Sequence, residues 1–347
     1  MAISATQAAA QEHELLAAAR AGDESAFAEI VERHRVVLHA HCYRMLGSLH
    51  DAEDALQETY LRAWRGLAAF EGRSATKTWL HTIATNVCLN AIRRRPKRVL
   101  PIDYGPPTEP GLDPGAPLVE SVWLEPYPDE KLGLEDGYAA TEARYEQREA
   151  VELAFVAALQ HLPPKQRAVL ILREVLGFSA AEVSQSLDTT VASVNSALQR
   201  ARKSVDLRLP ERSQQATLRT LGDERLNNLV DAYVDAWARG DVDALRALLV
   251  EDAVFSMPPW SSWWRGSETI AGFAKEAVDI CATAHPTPIR ANGQQAIAYF
   301  RLDAETGRFV ATAIDVLTLE GARIKEITAF ITPELFPSFG LPPVLEQ

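Results

Sequence analysis

Residues 162–205, LPPKQRAVLILREVLGFSAAEVSQSLDTTVASVNSALQRARKSV, contain the pattern that decides the fold of this chain. Ser179 and Glu182 have the spacing of a capping box, which predicts the start of a short helix. Asp188 stands where a tight turn needs a residue that tolerates left-handed backbone geometry. Thr190 can cap the helix that follows. Two short helices joined by such a turn are typical of a helix-turn-helix.

The second of these helices has two different faces. The residues expected to face the core are Val191, Val194, Leu198 and Ala201. The residues expected to face outward are Ser193, Asn195, Ser196, Gln199, Arg200 and Lys203. Short polar side chains near a helix start suit base edges, and the cations further along suit phosphates. The pattern favours a DNA-reading helix, with a helical hairpin of ordinary charged surface as the alternative.

A second stretch, TKTWLHTIATNVCLNAIRRRPKR at residues 76–98, also predicts a helix with a polar face. The apolar residues at helical spacing are Leu80, Ile83, Ala84, Val87 and Ala91. Three consecutive arginines, Arg93 to Arg95, follow at its end. Such a face is either simply solvated or holds something anionic.

The length of 347 residues predicts two or three domains. No stretch is apolar enough to span a membrane, and the first residues lack the pattern of a signal peptide, so we expect a cytoplasmic protein with no membrane partner. Cys42, Cys88 and Cys281 lie far apart, which argues against a disulfide framework or a zinc site. We therefore expect neither a metal nor a cofactor.

The net formal charge of −12 conceals an alternating pattern. Residues 1–98 carry +2 and residues 151–221 carry +3, whereas residues 99–150 carry −9 and residues 222–347 carry −8. Attraction to phosphate acts over about a Debye length, on the order of 10 Å, so local patches matter more than the total. The overall acidity therefore does not exclude nucleic acid.

The chain has a multidomain organisation, with two all-α domains, a helical bundle and the helix-turn-helix, followed by an α+β cone. The predicted segments are a helical domain at 11–98, an acidic proline-rich linker at 99–140, the helix-turn-helix domain at 141–208, a connector at 209–221, the cone at 222–332 and a tail at 333–347. The linker cannot support regular elements, but an apolar group within it is expected to dock on a domain. That group is Val122, Trp123, Leu124 and Tyr127.

The two helical blocks resemble regions two and four of extracytoplasmic-function sigma factors of bacterial RNA polymerase. The resemblance rests on DAEDALQETYLRAW at 51–64, TWLHTIATNVCLNAIRRR at 78–95 and the helix-turn-helix stretch, and covers about residues 12–98 and 146–208. It implies binding to the polymerase core, at the clamp of the largest catalytic subunit and at the flap. The residues implied at the clamp are Asp51, Glu53, Asp54, Gln57, Leu61 and Trp64. From the residues alone, the acids could instead complement a helix dipole and the tryptophan could belong to the core.

The resemblance also implies that residues 71–98 capture the melted minus-ten strand of promoter DNA. The implied contacts are Arg73, Ser74, Lys77, Thr78, Trp79, Thr82, Thr85, Asn86, Arg93, Arg94 and Arg95, with Lys97 and Arg98 as further cations. The outward residues of the helix-turn-helix would contact the minus-thirty-five element. Thr85, Asn195 and Ala197 depart from the basic residues common in the family, which predicts weaker phosphate contact and an unusual minus-thirty-five sequence.

The C-terminal domain resembles the SnoaL-like cone in element order and in DAWARGDVDALRALLVEDAVFSMPP at 235–259. That resemblance implies an intramolecular contact with the sigma core that modulates activity. Trp260, Trp263 and Trp264 would line the mouth of the cone, face another domain or pack on their own sheet. Asp315 is expected to point into a pocket, with Tyr299 or His285 as hydrogen-bond donors, or else to be a structural aspartate.

The sequence therefore predicts a sigma factor that promotes transcription initiation and has no catalytic residues of its own. Two alternatives remain at this point. One is a helix-turn-helix regulator that acts without the polymerase. The other is a DNA-binding protein fused to a ketosteroid-isomerase-like enzyme.

Overall fold

The structure is a computed structural model, and it describes residues 5–72, 74–109, 114–118, 122–132, 148–276 and 284–345. The chain divides into two compact units. The helical unit consists of Met1–Pro96 and Leu159–Leu207, and the sheet unit consists of Lys97–Ala158 and Arg208–Gln347. The linker after residue 96 therefore belongs to the sheet unit.

The helical unit is built from two groups of helices. The first group is α1 (Ala5–Arg20), α2 (Glu24–Leu46), α3 (Leu49–Gly66) and α4 (Thr76–Ile92). The second group is α7 (Pro164–Leu170), a π-helical turn (Ile171–Val175), α8 (Ala180–Ser186) and α9 (Val191–Asp206). Between the two groups in the chain lie α5 (Pro101–Tyr104) and most of α6 (Leu153–Gln160), which belong to the sheet unit. No helix within the described stretches is long and apolar enough to cross a membrane.

The caps predicted for the helix-turn-helix are confirmed. Ser179 and Glu182 form a complete capping box at the start of α8, and the Thr190 hydroxyl accepts from the Ser193 amide at the start of α9. Asp188 has φ 47°, the left-handed geometry that the turn requires. Val194, Leu198 and Ala201 are buried as expected, but the prediction for Val191 is wrong. Val191 is 43% exposed: it shares the helix face of Val194 and Leu198, but it is the first residue of the helix.

A buried guanidinium joins the two helical groups. The last carbonyls of a helix lack partners within the helix, and those of Arg44 and Met45 in α2 accept from Gln160 and Arg167. Arg167 also donates to the Gln160 carbonyl at 3.0 Å. Burial lowers the pKa of Arg167 to about 10, so this side chain stays charged at neutral pH. The end of α2 is thereby tied to the hairpin that leads into α7.

The sheet unit begins with helices, as predicted, and continues with strands that are interrupted by one further helix. Its helices are α10 (Gln214–Leu221), α11 (Asp223–Arg239), α12 (Val242–Leu248) and α13 (Ser267–Glu276). Its strands are β1 (Leu249–Ser256), β2 (Trp263–Arg265), β3 (Ala284–Ala291), β4 (Gln294–Leu302), β5 (Phe309–Glu320), β6 (Arg323–Phe330) and β7 (Val344–Leu345). The predicted α+β fold of this part of the chain is confirmed.

The strands form one sheet in the order β2-β1-β6-β5-β4-β3, with β7 also paired to β5. The β1–β6 pair is parallel and the others are antiparallel. Apolar residues of α11, α12 and α13 share one buried cluster with Phe255, Ile297, Leu317 and Ile327 of the sheet. Helices therefore cover one face of the sheet and close a core against it.

The proline-rich linker docks on this sheet. Trp123, Leu124 and Tyr127 are buried, which confirms the predicted docking. Contrary to expectation, the linker also forms short regular elements, α5 and a 3-10 turn at Asp129–Leu132. Their stability comes from packing and hydrogen bonds to the rest of the unit, which composition does not reveal.

The turn between β3 and β4 is where the docked segments meet. Asn292 has φ 56° and is fully buried. It makes two hydrogen bonds with the backbone of Tyr127. The Asn292 backbone N–H donates to the Tyr127 carbonyl at 2.7 Å, and the Tyr127 N–H donates to the side-chain oxygen Oδ1 of Asn292 at 2.8 Å. Asn292 Nδ2 donates to the Val151 carbonyl at 2.7 Å. One side chain thus satisfies buried backbone groups on both sides of residues 133–147.

Gly293, the next residue, leaves no room for a side chain. It has φ 69°, and a Cβ there would lie 2.9 Å from Gln215 Nε2 and 3.1 Å from the Arg148 carbonyl oxygen. Its N–H donates to Asp129 Oδ1 at 2.7 Å, and its carbonyl accepts from Gln215 of α10. The β3–β4 turn therefore receives the linker, the segment before α6, and α10.

We expect Asn292→Ala to lower the free energy of unfolding of the sheet unit by about 2–4 kcal/mol, because it leaves the Tyr127 N–H and the Val151 carbonyl buried without partners. Urea unfolding followed by tryptophan fluorescence measures the change. Asn228→Ala, on the exposed surface of α11, is the matched control and should stay within about 0.5 kcal/mol of the unsubstituted protein. Equal effects at the two positions would contradict the role given to Asn292.

Candidate functional site

The outward face of α9 is open to solvent. The six side chains predicted to contact DNA, Ser193, Asn195, Ser196, Gln199, Arg200 and Lys203, are all exposed. Thr190 caps the end that would enter a groove, and its hydroxyl also donates to Ser193 Oγ at 2.9 Å. The helix therefore presents short polar groups at its N-terminal end and cations toward its C-terminal end, as a recognition helix does.

The residues predicted for minus-ten DNA are divided between surface and interior. Lys77, Asn86, Arg93 and Arg94 are exposed, and Ser74 is half-buried. Arg73 lies outside the described residues. The exposed cations Arg93 and Arg94 follow the end of α4, where positive side chains also suit the helix dipole.

Two of the predicted contacts are covered by α8. The Thr78 hydroxyl donates to Glu182 Oε1 at 3.3 Å, and the hydroxyls of Thr82 and Ser186 lie 2.7 Å apart. The side chains of Lys77 and His81 both approach the ring of Phe178, at 5.4 Å from its centroid. In this arrangement the first helix of the helix-turn-helix occupies the face of α4 that was predicted to hold a DNA base.

Thr85 lies in the interior of the helical unit and not on the predicted surface. Its hydroxyl donates to the His81 carbonyl at 2.7 Å and lies 2.9 Å from His41 Nε2. Burial lowers the pKa of His81 to about 4 and that of His41 well below its usual value. Thr85 therefore satisfies a neutral imidazole in the core, where a basic residue would be costly.

Trp79 stacks on Phe70, with ring centroids 4.4 Å apart and planes inclined by 19°. It is half-buried and packs against the cluster formed by Ala19, Ala26, Ile30 and Leu67. One of its faces is thus occupied within the protein.

Some predicted charges are paired internally. Arg95 forms an ion pair with Asp51, which is buried, and lies 3.9 Å from a carboxylate oxygen of Asp54. Arg98 is buried and donates to the Trp123 carbonyl at 2.8 Å, so it is not a surface cation. An arginine can form an ion pair with a carboxylate that is distant in sequence, and sequence spacing does not reveal such a pair.

Three of the α3 residues that were predicted to contact the polymerase form a small exposed surface. Asp54, Gln57 and Leu61 are exposed at positions i, i+3 and i+7, which share one helix face. Leu61 is 52% exposed, a large apolar side chain in solvent. Glu53 is half-buried, and Trp64 packs on Phe27 with ring centroids 5.0 Å apart. Trp64 is half-buried and packs against the cluster formed by Ala19, Ala26, Ile30 and Leu67.

The sheet unit encloses a cavity of about 480 Å³. Its wall is mostly apolar and includes Trp237 of α11, Phe255 of β1, Phe273 of α13 and Tyr299 of β4. Asp315 of β5 reaches the cavity, as predicted. His285 is exposed on β3.

The hydrogen-bond donor to Asp315 is one that sequence reasoning missed. The Tyr233 hydroxyl donates to Asp315 Oδ2 at 2.8 Å. Burial raises the pKa of Asp315 to about 7, and the bond from Tyr233 opposes part of that rise. Tyr233 stands on the apolar face of α11, four residues before Trp237, so its helical spacing was the available signal.

The three clustered tryptophans have different roles. Trp264 is fully buried beside Phe255 and Phe273. The Trp263 indole donates to the Gly105 carbonyl at 2.8 Å, and the Trp260 indole donates to the Gly115 carbonyl at 3.0 Å. Two of the three therefore hold the linker, and Trp260 also lines the cavity.

A capped helix-turn-helix with an exposed polar recognition face, beside a helical bundle with a basic end, defines a DNA-binding transcription protein. Family models match the chain in three places. These are Sigma-70 region 2 at residues 30–98, Sigma-70 region 4 at residues 152–205 and a SnoaL-like domain at residues 230–327.

The chain is also similar to known proteins. The chain is 41% identical to the ECF RNA polymerase sigma factor SigG of Mycobacterium tuberculosis over 93% of this chain and 85% of that protein. It is 29% identical to the ECF RNA polymerase sigma factor SigW of Bacillus subtilis over 53% of this chain and 89% of that protein. The crystal structure of the M. tuberculosis extracytoplasmic function sigma factor SigJ has the same fold, with a TM-score of 0.58 and 22% identity over 91% of this chain and 99% of that one. The chain belongs to the extracytoplasmic-function RNA polymerase sigma factors.

The buried carboxyl of Asp315 should make the free energy of unfolding depend on pH. Its folded-state pKa lies above its unfolded value, so its contribution to stability is complete below about pH 4 and is lost as the pH rises toward 7. We expect the unsubstituted protein to lose about 2–3 kcal/mol relative to Asp315→Asn between pH 5 and pH 7.5. Urea unfolding at a series of pH values measures the difference.

Glu305→Gln, an isosteric change on the exposed β4–β5 loop, is the control and should leave the pH profile of stability unchanged. Parallel profiles for Asp315→Asn and the unsubstituted protein would show that Asp315 is ionised in the folded state at pH 5.

Proposed function

We propose that this sigma factor binds the core of RNA polymerase through α3 and directs it to promoters through α4 and α9, while the sheet unit modulates its activity. The observation that carries the proposal is the recognition face of α9. Its six polar side chains are all exposed, and α8 and α9 both have N-terminal caps. The names of the relatives, which describe RNA polymerase sigma factors, support the same function.

The chemistry of α9 suits duplex DNA. Asn195 and Gln199 carry amides that can pair with adenine in the major groove, and Ser193 and Ser196 can accept or donate to base edges. Arg200 and Lys203 lie further along the exposed surface, where they suit phosphates. Because position 195 is an amide and not a cation, we expect this helix to depend more on base contacts than on phosphate neutralisation.

The exposed end of α4 suits single-stranded DNA. Asn86 offers both a donor and acceptors, and Arg93 and Arg94 supply charge for the backbone. Thr78 and Thr82 would add to this surface only after their bonds to Glu182 and Ser186 are broken. The promoter-binding form therefore requires α8 to leave α4, and the described arrangement of the helical unit is a closed state.

Opening the helical unit has a physical cost that binding must offset. It exposes Arg167 and returns the carbonyls of Arg44 and Met45 to water. It also separates Phe178 from His81 and Lys77 of α4. Binding to the polymerase and to promoter DNA stabilises the open state by mass action, and the closed state limits premature binding to DNA.

A disulfide between α4 and α8 tests this proposal. The hydroxyl oxygens of Thr82 and Ser186 are 2.7 Å apart, close enough for cysteines at both positions to be joined. We expect oxidised Thr82→Cys/Ser186→Cys to lose at least tenfold in promoter-dependent transcription with core polymerase, and to recover when the bond is reduced. Each single variant is a control and should respond little to oxidation. Full activity of the cross-linked protein would show that these helices need not separate.

The surface of α3 suits a protein partner. A half-exposed leucine in the middle of a small patch, flanked by the carboxylate of Asp54 and the amide of Gln57, has the composition of an interface anchor with a polar rim. A carboxylate at the rim complements a basic protein surface and raises the rate of association. Asp51 and Trp64 contribute indirectly, because the first is paired with Arg95 and the second packs on Phe27.

We expect Leu61→Ser to weaken binding to core polymerase by about tenfold or more, since it removes an apolar anchor from the centre of the contact. Fluorescence anisotropy of labelled sigma factor titrated with core enzyme measures the affinity. Leu302→Ser, at an exposed leucine of the sheet unit, is the matched control and should bind as the unsubstituted protein does. If the affinity of Leu61→Ser is unchanged, the polymerase contact lies elsewhere. A protein that fails to bind core enzyme at all would instead act as a regulator without the polymerase.

A further inference from the structure

A buried pair of histidines lies in the helical unit, next to the segment that leads into α8. His41 of α2 and His81 of α4 are both fully buried. Their rings meet edge to face with centroids 5.5 Å apart, and the ring of Phe178 packs edge-on against His81 at 5.4 Å. The contacts proposed for polymerase and DNA use neither imidazole.

Hydrogen bonds fix the tautomer of each ring. The Lys77 carbonyl can only accept, so His81 donates to it from Nδ1 at 2.7 Å. The Thr85 hydroxyl already donates its one hydrogen to the His81 carbonyl, so His41 donates to that hydroxyl from Nε2. The bare nitrogens, His81 Nε2 and His41 Nδ1, are buried and have no hydrogen-bond partner in the described part of the chain. Both rings are therefore neutral, and a proton on either bare nitrogen would be a buried charge without an acceptor.

Basic groups around His81 make that proton still more costly. Burial is the largest cause that lowers the pKa of His81 to about 4, and three neighbouring basic groups add to it. They are Lys77 on its own helix and His34 and Arg44 on α2. The bond to the Lys77 carbonyl opposes part of this shift. In the closed helical unit the ring of His81 therefore stays neutral at ordinary pH.

The helix-turn-helix covers His81 with an uncharged ring. Phe178 is buried against it and also lies under Lys77, whose Nζ is 5.4 Å from the centroid. The charge that α8 brings to this place is the carboxylate of Glu182, which interacts with Lys77. When α8 and Phe178 leave α4, water reaches His81. His41 instead stays between α2 and α4, where it bonds to a residue of α4.

The difference in the environment of His81 links opening of the unit to pH. A histidine in water has a pKa of about 6.5, so the open state takes up a proton at a pH at which the closed state does not. The closed state is fully favoured above about pH 6.5 and loses that advantage as the pH falls toward 4. At pH 5.5 the proton on His81 shifts the equilibrium toward the open state by about tenfold.

Opening also changes the charge on the surface of α4. Lys77 and His81 are four residues apart and share one face of the helix. Once Phe178 has left, an exposed lysine and a protonated imidazole lie side by side on that face. Two such cations suit the phosphates of a single strand of DNA.

We propose that protonation of His81 separates α8 from α4, and that the protonated ring then joins Lys77 in binding phosphates of a melted DNA strand. This switch rests on the proposed opening of the helical unit, but it operates in the free protein without polymerase.

A distance measured between α4 and α8 tests the opening. Spin labels at Asn90→Cys and Gln185→Cys, both exposed positions, are placed in a Cys281→Ser background, because Cys42 and Cys88 are buried. Double electron–electron resonance on the full-length protein should show a population of longer distances that grows by about fivefold or more between pH 7.5 and pH 5.5. Circular dichroism should show the same helix content at both pH values. Unchanged distances, or a loss of helix at pH 5.5, would overturn the proposal.

Variants assign the pH response to His81. His81→Phe keeps a ring against Phe178 and His81→Gln keeps a neutral polar side chain, and neither takes up a proton near pH 6. Both should show the same distances at pH 5.5 as at pH 7.5. His34→Gln on α2 and His285→Gln on the exposed face of β3 are the controls and should keep the response. A response that persists in both His81 variants, or that disappears in His34→Gln, would contradict the role given to His81.

Binding of single-stranded DNA tests the contact with phosphates. The probe is a rhodamine-labelled oligothymidylate, and fluorescence anisotropy with the full-length protein measures its affinity. We expect binding about fivefold tighter or more at pH 5.5 than at pH 7.5, and a change at least threefold smaller in His81→Phe. The same pH dependence in the two proteins would refute the contact between His81 and DNA.

The disulfide between positions 82 and 186 separates failure of this switch from failure of the proposed function. Full transcription by the cross-linked protein at pH 7.5 would show that the helices need not separate at all. Transcription that is blocked by the cross-link, together with distances that do not respond to pH, would refute the switch and leave the proposed function standing.

Discussion

The hydrogen bonds of the Asn292–Gly293 turn are the constraint on which the sheet unit depends. They satisfy backbone groups of Tyr127 and Val151 that would otherwise be buried without partners. They also bring the linker and α10 to the same end of the sheet, through Asp129 and Gln215. A side chain at position 293 would be strained, since φ is 69° and its Cβ would lie 3.1 Å from the Arg148 carbonyl oxygen. The docked linker follows from this arrangement of buried polar groups more than from its own composition.

Within the sheet unit, this constraint acts on the linker, which is the chain segment between α4 and the helix-turn-helix. Trp260 and Trp263 hold the linker near the cavity, and Pro114 lies in the cavity wall. Within the helical unit, Thr82 of α4 contacts Ser186 of α8, and His81 of α4 contacts Phe178, and the proposed opening would break both contacts.

Much of the candidate DNA surface could be predicted from sequence, because its signals are local. The capping box of α8 and the turn at Asp188 depend on residues within one or two turns of helix, and both are confirmed. The outward face of α9 follows from helical periodicity. Residues whose environment depends on distant partners were less predictable. Thr85 lies in the core, where it is hydrogen-bonded to His41. Arg95 forms an ion pair with Asp51, which lies beside it in the fold.

The sequence by itself determined the family, the order of the domains, the helix-turn-helix and the presence of Asp315 at a pocket, because periodicity, caps and motif spacing are encoded by near neighbours in the chain. Tertiary structure alone decided that Tyr233 is the donor to Asp315, that α8 covers Thr78 and Thr82, and that the linker closes one side of the cavity. Each of these is a contact between segments far apart in sequence. Burial and the need to pair buried polar groups select such contacts, and no local pattern records which partner will satisfy them.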